Sequence, residues 1–493
     1  IWLGVSMLLL GLMYRYFSFT QTAFSFKKSK NSDRLTKNNF GGITKLNLPK
    51  VGFDFSLKQN LKTAWSLSHI DFKFIVKNWV FVSIVLVGML FILITALTAG
   101  AIFGTETYPV TWQMLEIPGG AFGLFINVLT FLFSGILIHR GATTRMNHLI
   151  DVTPTPNWVL LASKFLAIVK MQIVLLAAIM VSGILFQIYK GYFNFEIGHY
   201  LFELYAVKLI HYAIWALLAI FIQTLFKNYL LGFFVLLLLS IGLSFLPSLG
   251  VEQDIFIYNN DPGYDYSDMN GYGHGLKYYY LYKIYWLAFG IVLYGLSLLF
   301  WSRGVGQSAK NRIAILKERT NKEIVFPLVF SLLTFLGIGS TIYYQDNIVN
   351  ESKNGNEQEK IMVNWEKKYK KYENKTQPRI TDIKIDMELY PEERNFVANG
   401  KYILKNKSNQ AIDTLFIDYA EGTKISFNTK NKLVSKDTVY NINIYRLEKS
   451  LQPGDSIQMS FVLKNKPNSL FENNSPVLYN GTFINNSIFP SIG

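Results

Sequence analysis

Histidine is the residue type in this chain best suited to bind a metal, so its spacing limits the possible metal chemistry. A hydrolytic zinc site of the His-Glu-x-x-His type needs two imidazoles one helical turn apart and a glutamate that activates the bound water. None of the six histidines is followed by glutamate, and cysteine is absent. The sequence therefore predicts no peptidase centre, no Cys-ligated metal and no disulfide in this chain. The histidines are His69, His139, His148, His199, His211 and His274.

Two ionisable residues lie within one apolar run. Lys208 and His211 are one helical turn apart and could line a polar pathway, because ionisable groups at membrane depth are costly and often functional. The alternative, which we favour, is that Lys208 lies near the outer end of its span and extends its ammonium group to the membrane interface.

The segment from residue 261 to residue 282 combines acidic side chains with many tyrosines. Asp261, Asp265, Asp268 and His274 could bind a cation through their carboxylates. Their spacing matches no EF-hand loop, and an aromatic belt at a membrane interface also explains the tyrosines. We favour the interfacial interpretation.

Long apolar runs dominate the elements that carry these residues. Half of the 493 residues are hydrophobic and 16% are charged, against about a quarter charged in soluble proteins. Residues 1 to 14 are interpreted as a truncated transmembrane helix, because Arg15 follows and no small-residue cleavage site does. With seven further runs of roughly 20 residues, this predicts eight spans. The seven runs are Trp79 to Phe103, Gly120 to Ile138, Phe165 to Ile188, Tyr205 to Leu225, Tyr229 to Leu246, Ile284 to Trp301 and Val325 to Tyr344.

The charges between the runs predict the orientation. Residues 15 to 78 carry twelve Lys and Arg against three acids, and residues 303 to 323 carry six against two. Residues 104 to 119 carry two acids and no base, and residues 251 to 282 carry five acids and one base. The positive-inside rule places the first pair in the cytoplasm and the second pair outside. Much of the net charge of +15 is then topological, and no nucleic-acid partner is expected.

An amphipathic helix is predicted just before residue 79. Apolar and basic side chains alternate at near-helical spacing, which is typical of a helix in the membrane interface whose lysines contact anionic headgroups. The alternative is a helix packed on a cytoplasmic partner. The apolar residues are Leu57, Leu61, Trp65, Phe72 and Val76, and the basic residues are Lys58, Lys62, Lys73 and Lys77.

After the last run the composition changes to that of a soluble domain. Residues 345 to 375 are polar and charged, as in a linker or an exposed helix. From residue 376, apolar and polar residues alternate with period two between turns such as Gln452-Pro453-Gly454-Asp455. This predicts an all-β domain, a β-sandwich or a saddle-like sheet. The predicted strands are 383 to 389, 396 to 404, 411 to 419, 438 to 446 and 456 to 463.

The six runs from Trp79 to Trp301, preceded by the amphipathic helix, resemble one half of a type-2 ABC exporter permease. The sharpest likeness is the connection from Arg140 to Pro156, an Arg-Gly-Ala-Thr-Thr-Arg segment with a Pro-bearing turn, followed by a Leu-rich stretch ending at Lys164. The usual acidic residues before the Gly are missing, and Ser163 replaces a common Gly. The resemblance implies that this connection docks a separate ATP-binding subunit, since the chain has no Gly-x-x-x-x-Gly-Lys-[Ser/Thr] loop. The implied docking residues are Arg140, Gly141, Arg145, Asp151, Pro154 and Lys164.

The C-terminal part resembles the N-terminal β-domain of aminopeptidase-N-like zinc metallopeptidases. The likeness rests on Ile385 to Pro391, Gly400 to Asn406, Leu451 to Ser456, Asn480 to Phe483 and Pro490 to Gly493. The whole arrangement resembles permease/aminopeptidase fusion proteins of Bacteroidetes-type bacteria. The resemblance implies a zinc-bearing catalytic domain after Gly493, a peptide substrate, and a fragment in which the β-domain is incomplete.

We therefore expect a multi-pass protein of the bacterial inner membrane with its β-domain in the periplasm. The expected function is the permease half of an ABC-type exporter fused to an aminopeptidase module. The alternatives are a membrane-anchored zinc aminopeptidase whose spans serve only as an anchor, or a non-catalytic envelope-binding module. The expected parts are a truncated helix (1–14), a cytoplasmic segment (15–78), a six-span domain (79–302), a cytoplasmic loop (303–324), a tethering span (325–344), a linker (345–375) and the β-domain (376–493).

Overall fold

The computed structural model describes residues 54–99, 101–102, 105–117, 121–273, 275–301, 322–350, 353–465, 476–478 and 481–493. The predicted helix 1–14, the first part of the segment 15–78, most of the loop 303–324 and His274 lie outside these residues.

The first two thirds of the described chain are helical. Six of its described helices are long and apolar enough to cross a membrane, namely α2, α4, α6, α7, α9 and α10, and α8 is apolar but shorter. The protein is thus a multi-pass helical membrane protein followed by a β region. The helices are α1 (Leu57–Val76), α2 (Trp79–Ala99), α3 (Thr111–Glu116), α4 (Ala121–Thr143), α5 (Asn147–Val152), α6 (Asn157–Tyr189), α7 (Ile197–Leu225, π-helical over Phe202–Lys208), α8 (Tyr229–Phe245), α9 (Gly275–Phe300), α10 (Lys322–Tyr344) and α11 (Gly355–Tyr369).

Three of the spanning helices begin earlier than the apolar runs that predicted them. Helices α6, α7 and α9 begin eight or nine residues upstream of the predicted starts at residues 165, 205 and 284. Polar residues at the helix starts, Lys164, Glu203 and Lys283, interrupt the apolar run without interrupting the helix. Each of them has an ionic partner, Asp71 for Lys164, Lys208 of the same helix for Glu203 and Asp261 for Lys283, so its burial is tolerated.

Helices α2, α4, α6 and α7 share one apolar core. Large side chains such as Phe122 and Phe133 of α4 pack with Leu161 and Met171 of α6 in this core. The bundle has two ends that matter for function. We call the end with α1 and α5 the α1 end, and the end with the segment 246–273 and α11 the β end.

The C-terminal region is a β-sandwich of two four-stranded antiparallel sheets. Their strand orders are β12-β5-β8-β7 and β3-β4-β9-β6. Phe396 and Phe461 of one sheet bury a common core with Leu415 and Tyr445 of the other. The strands are β3 (Arg379–Tyr390), β4 (Asn395–Lys405), β5 (Ile412–Asp418), β6 (Thr423–Phe427), β7 (Asn431–Asp437), β8 (Ile442–Leu451), β9 (Ser456–Asn465) and β12 (Ser491–Ile492); the pairs β1 (Ala101–Ile102) with β2 (Thr105–Glu106) and β10 (Val477–Leu478) with β11 (Gly481–Thr482) stand apart.

Strands β6, β7 and β8 of the sandwich differ from the sequence prediction. Strands β6 and β7 were not predicted, because Lys, Asn and Thr residues weaken their apolar alternation. The predicted strand beginning at Thr438 begins instead at Ile442. Residues 438–441 form a turn in which one Asp437 carboxylate oxygen accepts hydrogen bonds from the backbone amides of Val439 and Tyr440.

Helix α11 connects the β end of the bundle with the sandwich. Asn354 and Glu357 cap its first turn reciprocally, as in a capping box. The Gly355 amide donates to Glu252 of the membrane part at 2.7 Å. At the other end of α11, Lys368 and Tyr369 donate to Asp437 of β7. The predicted linker therefore contains an ordered helix with contacts at both ends.

Candidate functional site

Helix α5 lies in the connection between α4 and α6 and is exposed along its whole length. None of its residues is buried. Leu149 is 66% exposed and Val152 is 83% exposed, and Met146 at its N-terminus is also exposed. Large apolar side chains that are exposed together on a short polar connection are typical of an interaction surface and not of a segment that packs into the core.

The turns on both sides of α5 fix its direction. Helix α4 ends in a Schellman turn, in which the Met146 amide donates to the Gly141 carbonyl at 2.9 Å and the Arg145 amide to Ala142 at 3.2 Å. Arg145 has a φ of +56° at the position where glycine is usual. Its side chain is exposed. After α5 the chain is extended through the exposed Pro154, and Pro156 caps α6.

A buried carboxylate binds the two basic residues that flank this connection. Asp71 of α1 is 4% exposed and accepts hydrogen bonds from Arg140 Nη1 at 3.0 Å and from Lys164 Nζ at 2.6 Å. The Arg140 guanidinium also lies 4.2 Å from the centroid of the Phe74 ring. Arg140 ends α4 and Lys164 lies in the second turn of α6, so this Asp71 cluster joins three helices at the root of α5.

Asp71 was missed by sequence reasoning, whereas Arg140 and Lys164 were found. A signal for it exists in the spacing of α1, where Ala64, Ser68, Asp71 and Ile75 form the face that is buried in the bundle. The predicted apolar stripe behaves differently. Its first residues, including Trp65, are exposed, as expected of a face that contacts lipid or a partner.

A cavity of about 650 Å³ lies beside the Asp71 cluster. Gly141, Asp151 and Lys164 line it from the α5 connection, together with side chains of α1 and of the C-terminal end of α7. The structure thus brings four of the six predicted docking residues, Arg140, Gly141, Asp151 and Lys164, to one place, while Arg145 and Pro154 point the connection outward. The Asp71 cluster can therefore hold α5 in place when another molecule contacts it from outside the bundle.

At the β end, Lys208 has two partners within the protein. Its Nζ donates to the Leu115 carbonyl at 2.9 Å and lies 3.4 Å from Glu203 Oε1. Glu203 is buried and also accepts hydrogen bonds from Tyr264 at 2.6 Å and Tyr272 at 2.7 Å. Burial, and then the neighbouring carboxylate, raises the pKa of both phenols far above the usual value, so both stay protonated donors.

His211 belongs to a second buried cluster, separate from that of Lys208. Lys283 is 1% exposed and lies 3.1 Å from His211 Nδ1 and 2.7 Å from Asp261 Oδ2. It also donates to the Asn259 carbonyl at 2.8 Å and side chain at 3.0 Å. The Lys283 ammonium group, with three N–H donors, thus lies among a carboxylate, a backbone carbonyl, an amide oxygen and an imidazole nitrogen. Sequence reasoning missed Lys283.

Two of the three aspartates in the segment 261–282, Asp261 and Asp268, make contacts within the protein. Asp261 pairs with Lys283, and Asp268 accepts a hydrogen bond from Trp112 Nε1 at 3.2 Å. Within the described residues, no group of three or more His, Asp or Glu is arranged to hold a metal ion. The predicted cation ligand His274 lies outside those residues. Two tyrosines of this segment, Tyr264 and Tyr272, donate hydrogen bonds to Glu203, so the tyrosines do more than form an interfacial belt.

Comparison with family models and with curated proteins gives no match for this chain.

Proposed function

We propose that this chain is the membrane-spanning half of an ATP-driven exporter, and that α5 docks a separate ATP-binding subunit on the cytoplasmic side. The observation that carries the proposal is the exposed apolar surface of α5, held on the Asp71 cluster at the end of two spanning helices. An ATP-binding subunit can transmit a movement to α4 and α6 only through a rigid contact. The cluster supplies that rigidity, because both helices are bound to one carboxylate.

The charge distribution supports this orientation. The α1 end carries the basic segments, and the β end carries the acidic ones, as the positive-inside rule requires of a cytoplasmic α1 end. The β-sandwich then lies outside the cytoplasm, in the periplasm if the membrane is a bacterial inner membrane. The bilayer, the ATP-binding subunit and a peptide substrate are the proposed partners.

The peptidase part of the proposal rests on the β-domain motifs and on the sandwich that they form. The zinc-bearing catalytic domain that we propose would not lie among these residues, since this chain contains no His-Glu-x-x-His motif. The sandwich would then position that catalytic domain outside the membrane. The transport and peptidase parts are separable, because they depend on opposite ends of the molecule.

The test is co-purification of an ATP-binding subunit with the full-length protein in mild detergent. Leu149→Asp should abolish co-purification, because it places a charge in the centre of an apolar contact. Phe193→Asp is the matched control: Phe193 is 68% exposed but lies in the connection between α6 and α7, at the β end. It should leave co-purification unchanged.

Arg145→Gly separates charge from geometry in the same experiment. Glycine suits the positive φ of residue 145, so this variant removes the charge without harming the turn. Weaker co-purification would assign Arg145 a direct contact. If the wild type retains no ATP-binding subunit, the docking proposal fails, and the spans are an anchor for the β-domain.

A further inference from the structure

The cavity at the α1 end is amphiphilic. It lies between α1, α4, α6 and the C-terminal end of α7, and it is open to the surroundings of the bundle. One part of its wall is apolar and another part is basic. Leu67, Ile70 and Leu160 contribute to the apolar part, and Arg140, Lys164 and Lys227 contribute to the basic part.

The charges of the Asp71 cluster do not cancel. One carboxylate faces two cations, and the cavity wall also carries Lys227 and Asp151, so the bases outnumber the acids by one. Within the described part of the chain, Arg140 donates one hydrogen bond from its guanidinium, and Lys164 donates one from its ammonium group. A guanidinium has five N–H donors and an ammonium group has three. The cluster therefore keeps donors for a further anion.

We propose that this cavity binds the headgroup of an anionic phospholipid. Its phosphate contacts Arg140 and Lys164, and the first part of the acyl chains lies on the apolar wall beside Leu67 and Ile70. A phospholipid is favoured over a soluble anion because the wall is amphiphilic and because the exposed apolar face of α1 begins next to it. The inference does not depend on an ATP-binding subunit.

Lipid binding is tested with the whole chain purified in a neutral detergent, using phosphatidylglycerol and phosphatidylcholine as probes and native mass spectrometry as readout. Wild type should retain phosphatidylglycerol in preference to phosphatidylcholine. Lys164→Gln should weaken phosphatidylglycerol binding about fivefold, the effect of one basic residue near an anionic group. Asp71→Asn should strengthen it by a similar factor, because the carboxylate competes with phosphate for the same two cations.

Lys164→Gln and Asp71→Asn should change the affinity for phosphatidylglycerol in opposite directions. Neither general electrostatic attraction nor misfolding would produce that pattern. Lys77→Gln is the matched control: Lys77 is an exposed lysine at the same end and does not line the cavity. An equal loss in Lys77→Gln, or equal retention of the two lipids, would overturn the proposal. So would displacement of phosphatidylglycerol by equimolar glycerol 3-phosphate, which would assign the site to a soluble anion. These lipid-binding results do not depend on whether an ATP-binding subunit docks on α5.

Discussion

The two ends of the helical bundle handle buried charge in different ways. At the α1 end, one acid binds two bases that remain partly exposed, with side-chain exposures of 33% for Arg140 and 19% for Lys164. At the β end, Lys283 is almost fully enclosed by protein acceptors, and Glu203 is enclosed by tyrosine donors. The α1 end is thus incompletely satisfied and open to ligands, whereas the β end is closed.

This difference indicates which end takes part in binding and which end holds the structure together. Open cations beside an exposed apolar helix suit a partner or a ligand. Closed networks of Tyr, Asn and Lys instead bind the segment 246–273 to the spanning helices. At the β end, Tyr282 donates to Asp346 at 3.1 Å and Gln253 to Asn347 at 2.6 Å, which extends the network to α10.

The largest expected effect is on thiol labelling, which should be all-or-none, because the two ends are proposed to lie on opposite sides of the membrane. With no native cysteine, single cysteines can be introduced at Arg145 in the α1 end, at Asp265 in the β end and at Asn428 in the sandwich. An impermeant thiol reagent applied to intact cells should label Asp265→Cys and Asn428→Cys but not Arg145→Cys. In inverted vesicles the pattern should reverse. Labelling of all three positions from one side would refute the comparison of the two ends.

The next largest effect should follow from removing Lys283. Lys283→Met preserves volume but leaves Asp261, His211 and two acceptors of Asn259 without their common donor. Loss of one partner from a buried ion pair costs about 3 to 5 kcal/mol. Thermal unfolding in detergent should show this loss. Lys277→Met, at an exposed position of the same helix, is the control and should change stability little. Equal stability of both variants would mean that the cluster is hydrated.

A smaller effect is expected at the α1 end. Asp71→Asn leaves Arg140 and Lys164 without their carboxylate, but both can turn towards water, so the expected loss is about 1 to 3 kcal/mol. The same thermal unfolding measurement applies. A loss greater than that of Lys283→Met would show that the α1 end is the more closed one, contrary to the structure.

The contrast between the ends was only partly predictable from the sequence. The spanning helices and the α5 connection follow from apolar runs and from a local motif. Asp71, Glu203 and Lys283 do not, because their partners lie far away in the chain. Asp71, for example, is 69 residues from Arg140 and 93 from Lys164. Such pairs become visible only when the helices are placed side by side.

In the β-sandwich, too, only part of the structure could be predicted from the sequence. The strongly alternating strands β4 and β9 were predicted close to their observed bounds. Strand β7 was missed because its polar residues suit an edge strand, whose stability comes from pairing with β8 rather than from burial. The start of β8 was misplaced because the Asp437 turn is fixed by hydrogen bonds that alternation does not reveal.

The smallest expected effect concerns the contact between α11 and the sandwich. Burial alone would raise the pKa of Asp437, but hydrogen bonds from Lys368, Tyr369 and the backbone amides of the turn outweigh it and lower the pKa to about 2. Because Lys368 is largely exposed, the pair itself adds little. The whole set of hydrogen bonds to the carboxylate should contribute about 1 to 2 kcal/mol.

The pH dependence of this contribution has a definite sign. The folded pKa lies below the ordinary value of 3.8, so the unfolded chain takes up a proton first as the pH falls. The stabilisation is therefore fully present well above pH 3.8 and is lost as the pH falls through about 2.

Asp437→Asn removes the titrating group, so the stability difference between wild type and this variant isolates its contribution. That difference, measured by chemical unfolding with β-sheet circular dichroism, should be constant from pH 7 to pH 5 and should narrow from pH 4 towards pH 2. Asp413→Asn, at an exposed position of β5, is the control and should show no such narrowing. A difference that stays constant down to pH 2 would mean that Asp437 is not held by these donors and that α11 is not fastened to the sandwich through it.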